Sequence, residues 1–145
     1  MRGHVRELNE LFLEDVLLDH AIHPRNRRKM EEAIAQAEGN NPLCGDCCTV
    51  YLLTSDGIIQ DIGFDGTGCA ILLASASLMT LAVNGKRVVE AQAVAEQFIS
   101  LLTAASPPDA DGLGDLTALA GVREFPGRVK CATLPWHALK SALKM

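Results

Sequence analysis

Apolar residues recur at helical spacing in several stretches of the chain. In residues 5–20 they fall three or four positions apart, which predicts an amphipathic helix that ends before Pro24, since the residue preceding a proline avoids helical angles. Residues 70–83 are almost wholly apolar or small, which predicts a buried helix. Two further amphipathic patterns predict helices over residues 88–102 and 131–143.

Two apolar runs that flank a turn predict an antiparallel hairpin. The runs are residues 47–54 and 58–64, and Asp56-Gly57 between them is a strong hairpin signal. Two strands alone are marginally stable, so we expect at least a third strand. Residues 29–38, rich in alanine and glutamate, could supply that strand from position 30 onward or form a short helix that ends at Gly39. The pattern therefore predicts an α+β fold, with a small antiparallel sheet of about three strands packed against several helices.

Length and composition indicate one globular domain spanning residues 1–145. The chain is 48% hydrophobic and 21% charged, which is ordinary for a domain of this size. Residues 103–121 contain Pro107-Pro108 with acidic residues and glycines nearby, so we interpret them as an insertion, with a helical turn at 114–120. No run of about 18 apolar residues occurs, so no membrane-spanning segment is expected.

Charge and cysteine usage narrow the possible functions. The net charge of −5 argues against binding nucleic acid through phosphate contacts. The basic cluster Arg25-Asn26-Arg27-Arg28-Lys29 is a local exception, and it fits either a solvated face or a docking site for an acidic partner. Five cysteines without an export signal indicate a reducing compartment, the cytoplasm. There, cysteines at element boundaries more often bind metal or react than form disulfides.

Three of the cysteines stand where predicted elements begin or end. Cys44 lies in a turn, within Asn-Pro-Leu-Cys-Gly-Asp (41–46). Cys69 directly precedes one predicted helix and Cys131 opens another. We therefore expect both at helix N-termini, where free N–H groups and a partial positive charge stabilise a thiolate.

These cysteines suggest a metal site. A tetrahedral site usually takes four thiolate, imidazole or carboxylate ligands. Asp46 is the natural fourth ligand, because the flexible Gly45 lets Cys44 and Asp46 turn toward one point. The alternative for each cysteine, taken singly, is a small buried hydrophobe.

The other cysteines and the histidines carry weaker signals. Cys47 and Cys48 open the first predicted strand and point to opposite faces, so we expect one buried and one half-exposed structural thiol. A contact between either sulfur and the metal site stays open. We expect His20 and His23 to cap the first helix or face solvent, and His137 to lie on a helix surface.

Three cysteine motifs occur in order along the chain: Asn-Pro-Leu-Cys-Gly-Asp (41–46), Gly-Thr-Gly-Cys-Ala-Ile-Leu-Leu-Ala-Ser-Ala-Ser-Leu-Met-Thr (66–80) and Phe-Pro-Gly-Arg-Val-Lys-Cys-Ala-Thr-Leu-Pro-Trp (125–136). Taken together, they resemble the U-type iron–sulfur cluster assembly proteins: IscU, SufU and the N-terminal part of NifU. Residues 18–26 also resemble the leader segment of that family. The SufU branch fits best, because Lys130 rather than a histidine precedes Cys131 and the interval between the last two motifs is long.

The resemblance implies a role in iron–sulfur cluster assembly. A SufU-like protein accepts persulfide sulfur from a PLP-dependent cysteine desulfurase, binds zinc, and serves downstream cluster-assembly proteins. By this resemblance the zinc ligands are Cys44, Asp46, Cys69 and Cys131. A ligand swap, in which a partner residue takes a zinc position, would free one cysteine to receive the sulfur.

The resemblance also implies unequal roles within this site. Cys44, on a loop flanked by Pro42 and Gly45, is the expected persulfide acceptor, and Cys131 is the runner-up. Lys130 or Arg128 would be accessory groups that steady the charged sulfur or a carboxylate of the partner.

Two alternative functions use the same ligands. One is an IscU-like scaffold that binds iron and on which a 2Fe–2S cluster is assembled and transferred, since thiolates bind zinc and iron–sulfur clusters alike. The other is a zinc-stabilised interaction domain with no part in sulfur chemistry. We expect a sulfurtransferase-like acceptor that works with its desulfurase, not a stand-alone turnover enzyme.

Overall fold

The computed structural model describes residues 15–41, 45–105 and 112–144. The first predicted helix is seen from Asp15, and its residues 5–14 lie outside the described part, as do Pro107 and Pro108. The elements in chain order are α1 (Asp15–Ile22), β1 (Ala35–Asn41), β2 (Asp46–Ser55), β3 (Ile58–Thr67), α2 (Ala70–Val83), α3 (Val88–Thr103), a 3₁₀ helix (Gly114–Glu124) and α4 (Pro126–Leu143).

The three strands form one antiparallel sheet in the order β1-β2-β3. Asp56 and Gly57 turn between β2 and β3 with φ of 56° and 75°, the left-handed pair that a tight hairpin turn requires. The predicted α+β fold with a three-stranded sheet is therefore confirmed. Of the two alternatives for residues 29–38, the strand is the one observed, although it begins at Ala35; Gly39 lies inside it and does not end a helix.

The helices pack on the sheet and on one another around an aliphatic core. α4 lies against β1, β2, α2 and α3, while α2 also packs against α1. At the centre, the rings of Trp136 and Phe98 stack with centroids 4.7 Å apart. α2 begins and ends where the sequence predicts, and its inward positions are fully buried.

α4 is longer than the sequence predicts. It begins at Pro126 instead of residue 131, because a proline in the first helical position has the φ that a helix needs and lacks only an N–H that would be unpaired there. Cys131 therefore lies in the second turn of α4, and the expectation that it stands at a helix N-terminus is wrong.

The 3₁₀ helix takes the place of the helical turn expected at 114–120, and it extends to Glu124. Its residues Leu116, Leu119 and Val122 are buried in the common core. The Arg123 guanidinium donates hydrogen bonds to two carbonyls near the end of α3, at 2.7 and 2.8 Å. The interpretation of 103–121 as an insertion stays a prediction.

His20 does not cap α1 or face solvent, so that expectation is wrong. Its side chain is buried, with Nδ1 2.6 Å from the Ser77 Oγ of α2. Burial lowers the pKa of His20, which favours the neutral imidazole. His137 is exposed on α4 as predicted, and His23 is exposed after α1.

No helix in the three described ranges combines the length and the apolar character needed to cross a membrane.

Candidate metal centre

Asp46 is the first residue of β2, and its side chain faces inward. The residue is only 5% exposed, and its Oδ2 has no hydrogen-bond partner among the described residues. A buried carboxylate oxygen without a donor is costly in free energy, and a bound cation would remove that cost. This oxygen is the clearest sign that the described residues fit a metal ion.

Cys69 is the N-cap residue of α2, as the sequence predicts. Its backbone is extended, with φ −74° and ψ 171°, and its side chain makes no capping hydrogen bond. The half-buried sulfur is therefore not used to cap the helix.

Cys131 approaches the same place from α4. The residue is 1% exposed. Burial, the adjacent Asp46 carboxylate and the neighbouring Cys69 thiol all raise the pKa of Cys131 above its ordinary value. A divalent cation would take the place of that thiol proton, because metal-binding cysteines are deprotonated.

The three side chains form one group. The ligand atoms of Asp46, Cys69 and Cys131 all lie within 4.8 Å of one another. Two thiols and a carboxylate are suited to zinc, and a thiol-rich set also suits an iron–sulfur cluster.

Cys44, the fourth predicted ligand, lies outside the described residues. In the sequence it falls between Asn41 and Asp46, which are partners across β1 and β2. Gly45 has φ 72°, the left-handed conformation expected there, and its N–H donates to the Asn41 carbonyl at 2.9 Å. Gly45 therefore turns the backbone directly before Asp46, and in the sequence Cys44 precedes Asp46 by two residues.

A family model of the NifU-like N-terminal domain matches residues 13–132 of the chain. The chain belongs to this family. The match confirms the resemblance seen in the three cysteine motifs.

Relatives in this family carry both SufU and IscU names. The zinc-dependent sulfurtransferase SufU of Bacillus subtilis is 39% identical over 134 residues, which cover 92% of this chain and 90% of the relative. The iron–sulfur cluster assembly scaffold protein IscU of Streptococcus pyogenes is 40% identical over 138 residues, covering 95% and 86%.

A solved structure of the family has the same fold. FiSufU from the thermophile Fervidobacterium islandicum AW-1, a proposed iron–sulfur cluster assembly scaffold of the SUF system, is 31% identical with a TM-score of 0.86. The alignment covers 94% of this chain and 99% of that one. The predicted SufU/IscU-like fold is thereby confirmed.

The remaining cysteines of this NifU-like domain behave as predicted. Cys48 is fully buried, and burial raises its pKa to about 12. Cys47 is half-buried, with its sulfur 3.4 Å from the Thr67 hydroxyl. Among the described residues, neither belongs to the group formed by Asp46, Cys69 and Cys131.

Arg128 and Lys130, the predicted accessory residues, are exposed in the first turns of α4. They lie within three residues of Cys131 along the chain.

Three arginines of the basic cluster 25–29 bind other groups of the same domain. Arg25 pairs with Asp19 at 2.5 Å and Arg28 with Asp61 at 2.8 Å. Arg27 donates to the Gly66 carbonyl at 2.9 Å, just before the segment that carries Cys69. The sequence shows the positive charges, but Asp61 and Gly66 lie 33 and 39 residues from their arginine partners, and the fold alone reveals these contacts.

Gly68 was missed by sequence reasoning as a residue of the site. A Cβ at this position would lie 2.9 Å from Oδ1 and 3.1 Å from Cγ of Asp46, and also 3.1 Å from Leu72. The backbone at Gly68 is thus in direct contact with the carboxylate, and the missing side chain leaves room for it. The pattern Gly-Thr-Gly-Cys was the available signal, since glycine often marks a close approach.

Gly68→Ala is expected to weaken zinc binding by roughly 10- to 100-fold, as is typical when a group that supports a ligand is altered. The obstructed atoms are at the end of a side chain, so the fold can survive while the Asp46 carboxylate is displaced. Zinc affinity is measured by competition with a chromophoric chelator.

The matched control is Gly127→Ala. A Cβ at Gly127 meets nothing within 4 Å, and the residue lies close to Cys131 along α4. Its zinc affinity should stay near that of the unchanged protein. Equal affinities for all three proteins would show that Gly68 has no influence on the carboxylate.

Proposed function

We propose that the chain is a zinc-binding sulfur acceptor in iron–sulfur cluster assembly, which takes persulfide sulfur from a PLP-dependent cysteine desulfurase. The observation that carries this proposal is the buried group of Asp46, Cys69 and Cys131, whose ligand atoms lie within 4.8 Å of one another. Family membership supports it, since the B. subtilis relative is named a zinc-dependent sulfurtransferase.

The four residues that would hold the zinc are Cys44, Asp46, Cys69 and Cys131. Zinc in such a site keeps its thiol ligands deprotonated. The chain's own contribution is to hold two of the sulfurs on packed helices and the carboxylate against Gly68.

Cys44 is the residue we propose as the sulfur acceptor. Its thiolate attacks the outer sulfur of the desulfurase persulfide, so that a new S–S bond forms on Cys44 as the old S–S bond breaks. The transferred sulfur keeps its proton, and the electron pair of the broken bond leaves as the desulfurase thiolate. No external oxidant or reductant is needed.

The burial of the other two cysteines supports this choice. Cys131 is 1% exposed and lies within α4, away from its ends, so an incoming persulfide has poor access to its sulfur. Cys69 is half-buried at the start of α2. Cys131 stays the runner-up acceptor, because a movement of α4 when the desulfurase docks would expose its sulfur.

The exposed cations Arg128 and Lys130 have a proposed role in docking. Both are exposed near Cys131 along the chain, where they can pair with a carboxylate of the desulfurase, or with the persulfide on Cys44 after it loses its proton. We place this exchange in the cytoplasm, with downstream cluster-assembly proteins receiving the sulfur.

A scaffold for a 2Fe–2S cluster is the second candidate function. It is favoured by the IscU-named relative, whose identity of 40% is close to the 39% of the SufU relative. Sequence identity therefore does not separate the two functions, and the thiol-rich ligand group accommodates both.

Metal content and sulfur transfer together test the proposal. Protein purified without oxygen should carry one equivalent of zinc and show no visible absorbance. With a cysteine desulfurase and radiolabelled cysteine, it should acquire label that reducing agents release, and Cys44→Ala should lose at least about nine-tenths of that label. Cys47→Ala is the matched control, since its half-buried thiol lies outside the ligand group.

Other results would favour the alternatives. A stable, coloured cluster that transfers to an apoprotein would favour the scaffold over the zinc-binding acceptor. Tightly bound zinc with no sulfur uptake and no effect on desulfurase turnover would favour the interaction domain. Full labelling of Cys44→Ala but not of Cys131→Ala would move the acceptor role to Cys131.

A further inference from the structure

A buried serine links the two helices that carry the cysteine ligands. Ser75 in α2 is fully buried, and its Oγ donates a hydrogen bond to the Ala132 carbonyl of α4 at 2.5 Å. The same oxygen accepts a hydrogen bond from Nε1 of Trp136 at 3.0 Å. One hydroxyl thus joins α2 to two successive turns of α4.

The position of this link relates it to the ligand group. Ala132 directly follows Cys131, and Ser75 lies on the helix that Cys69 caps. A helix is stiff along its axis, so a fixed contact at Ser75 constrains where the start of α2 lies relative to Cys131. Both helices also supply many apolar residues to the common core, and apolar contacts are not directional.

The backbone hydrogen bonding of α4 is interrupted near Cys131 and Ala132. Pro135 lies inside α4, and it has no N–H to donate to the Cys131 carbonyl four residues earlier. The backbone at a proposed ligand therefore lacks one helical hydrogen bond. The Ser75 hydroxyl supplies an additional bond one residue away, at Ala132.

We infer that Ser75 is a positioning residue of the metal centre, which fixes the separation of the Cys69 and Cys131 thiols by binding the Ala132 carbonyl. The inference rests on the proposed metal-binding function of these cysteines. It assigns Ser75 no contact with metal or substrate.

Ser77 provides a matched comparison on the same helix. It is also fully buried, with its Oγ 2.6 Å from Nδ1 of His20 and accepting from the Arg25 N–H at 2.8 Å. These contacts join α2 to α1 and the segment after it. Loss of the Ser77 hydroxyl therefore removes two close polar contacts, as many as loss of the Ser75 hydroxyl removes. Neither of the Ser77 contacts involves α4.

The experiment compares Ser75→Ala with Ser77→Ala in the 145-residue chain. Ser75→Ala should bind zinc roughly 10- to 100-fold more weakly than the unchanged protein, as changes behind a ligand usually do, and should release it faster to a chelator. Cobalt(II), used in place of zinc, should show an altered visible spectrum. Ser77→Ala should stay within about threefold in affinity, with an unaltered cobalt spectrum.

A structural defect is separated from a positioning effect in two ways. Urea unfolding of the metal-free proteins should show comparable losses for both alanine variants, so that only the metal measurements distinguish them. Ser75→Thr and Ser75→Val then repeat the comparison at nearly equal volume. Only the threonine keeps a hydroxyl, so it should retain tighter zinc binding than the valine if both fold.

The outcomes separate the two hypotheses. If the unchanged protein binds no zinc or cobalt, the proposed function fails. If it binds zinc but Ser75→Ala and Ser77→Ala share the same affinity and cobalt spectrum, the metal-binding function stands and the positioning role of Ser75 is refuted. Equal zinc affinity in the threonine and valine variants would refute it as well.

Discussion

Replacing Cys69 with alanine is expected to weaken zinc binding by roughly 100- to 1,000-fold. Structural zinc sites contribute about 10–16 kcal/mol in total, so one of four ligands accounts for roughly 3–4 kcal/mol. The Cys69 sulfur has no capping hydrogen bond, and its loss therefore should leave α2 intact. Zinc affinity is measured by chelator competition at neutral pH, and helix content by circular dichroism.

Cys48→Ala is the control for this prediction. Cys48 is a fully buried thiol that stays protonated, because burial raises its pKa to about 12. Its removal should lower stability but leave zinc affinity within about threefold. If Cys69→Ala binds zinc as tightly as the unchanged protein, the proposed ligand set is wrong, and with it the metal centre between β2, α2 and α4.

Replacing Trp136 with alanine is expected to lower the free energy of unfolding by about 3–5 kcal/mol, as for other large buried side chains. Trp136 is fully buried, stacks on Phe98, and donates a hydrogen bond to Ser75. The loss therefore combines a cavity, a ring contact and a polar contact. Urea unfolding of the metal-free protein measures it, so that zinc binding does not enter the result.

Two further variants separate the contributions to this loss of unfolding free energy. Trp136→Phe keeps a ring against Phe98 but removes the N–H donor, so it should lose about 1–2 kcal/mol. His137→Ala, at the exposed neighbouring position, should stay within about 0.5 kcal/mol. A loss below about 1.5 kcal/mol in Trp136→Ala would contradict the central place of this side chain in the core.

Elements with strong local signals could be predicted from the sequence. The hairpin followed from Asp56-Gly57, because two left-handed residues are needed at such a turn. α2 followed from a long run of apolar and small residues, and its bounds gave the correct position of Cys69. The sheet and the helices around it were therefore predicted as an architecture.

Elements held by distant partners were harder to predict. β1 contains Gln36, Glu38 and Asn40 on its exposed face, and it lacks the apolar alternation of a typical strand. Its place depends on pairing with β2 and on Gly39, where a Cβ would lie 3.0 Å from Leu134 of α4. These contacts are tertiary, so residues 29–38 fitted a strand and a helix about equally well.

The residues of the candidate site also differ in whether local sequence signals or tertiary contacts determine their positions. The positions of Asp46 and Cys69 at element ends follow from turns and helix signals that can be read locally. The depth of Cys131 in α4 also has a local signal, because Pro126 favours a helix start five residues before the cysteine, whereas the prediction placed that start at Cys131. The fit of Gly68 against Asp46 and the bond from Ser75 to Ala132 depend on how separate elements meet.

The three described ligands come from elements that are far apart along the chain, and this affects the order of events in folding. Asp46 comes from a strand, Cys69 from the start of one helix and Cys131 from the second turn of another. Bringing them together closes long chain loops, which is entropically unfavourable until the sheet and both helices have docked. Metal capture should therefore be a late event in folding, and bound zinc would mark chains whose folding is complete.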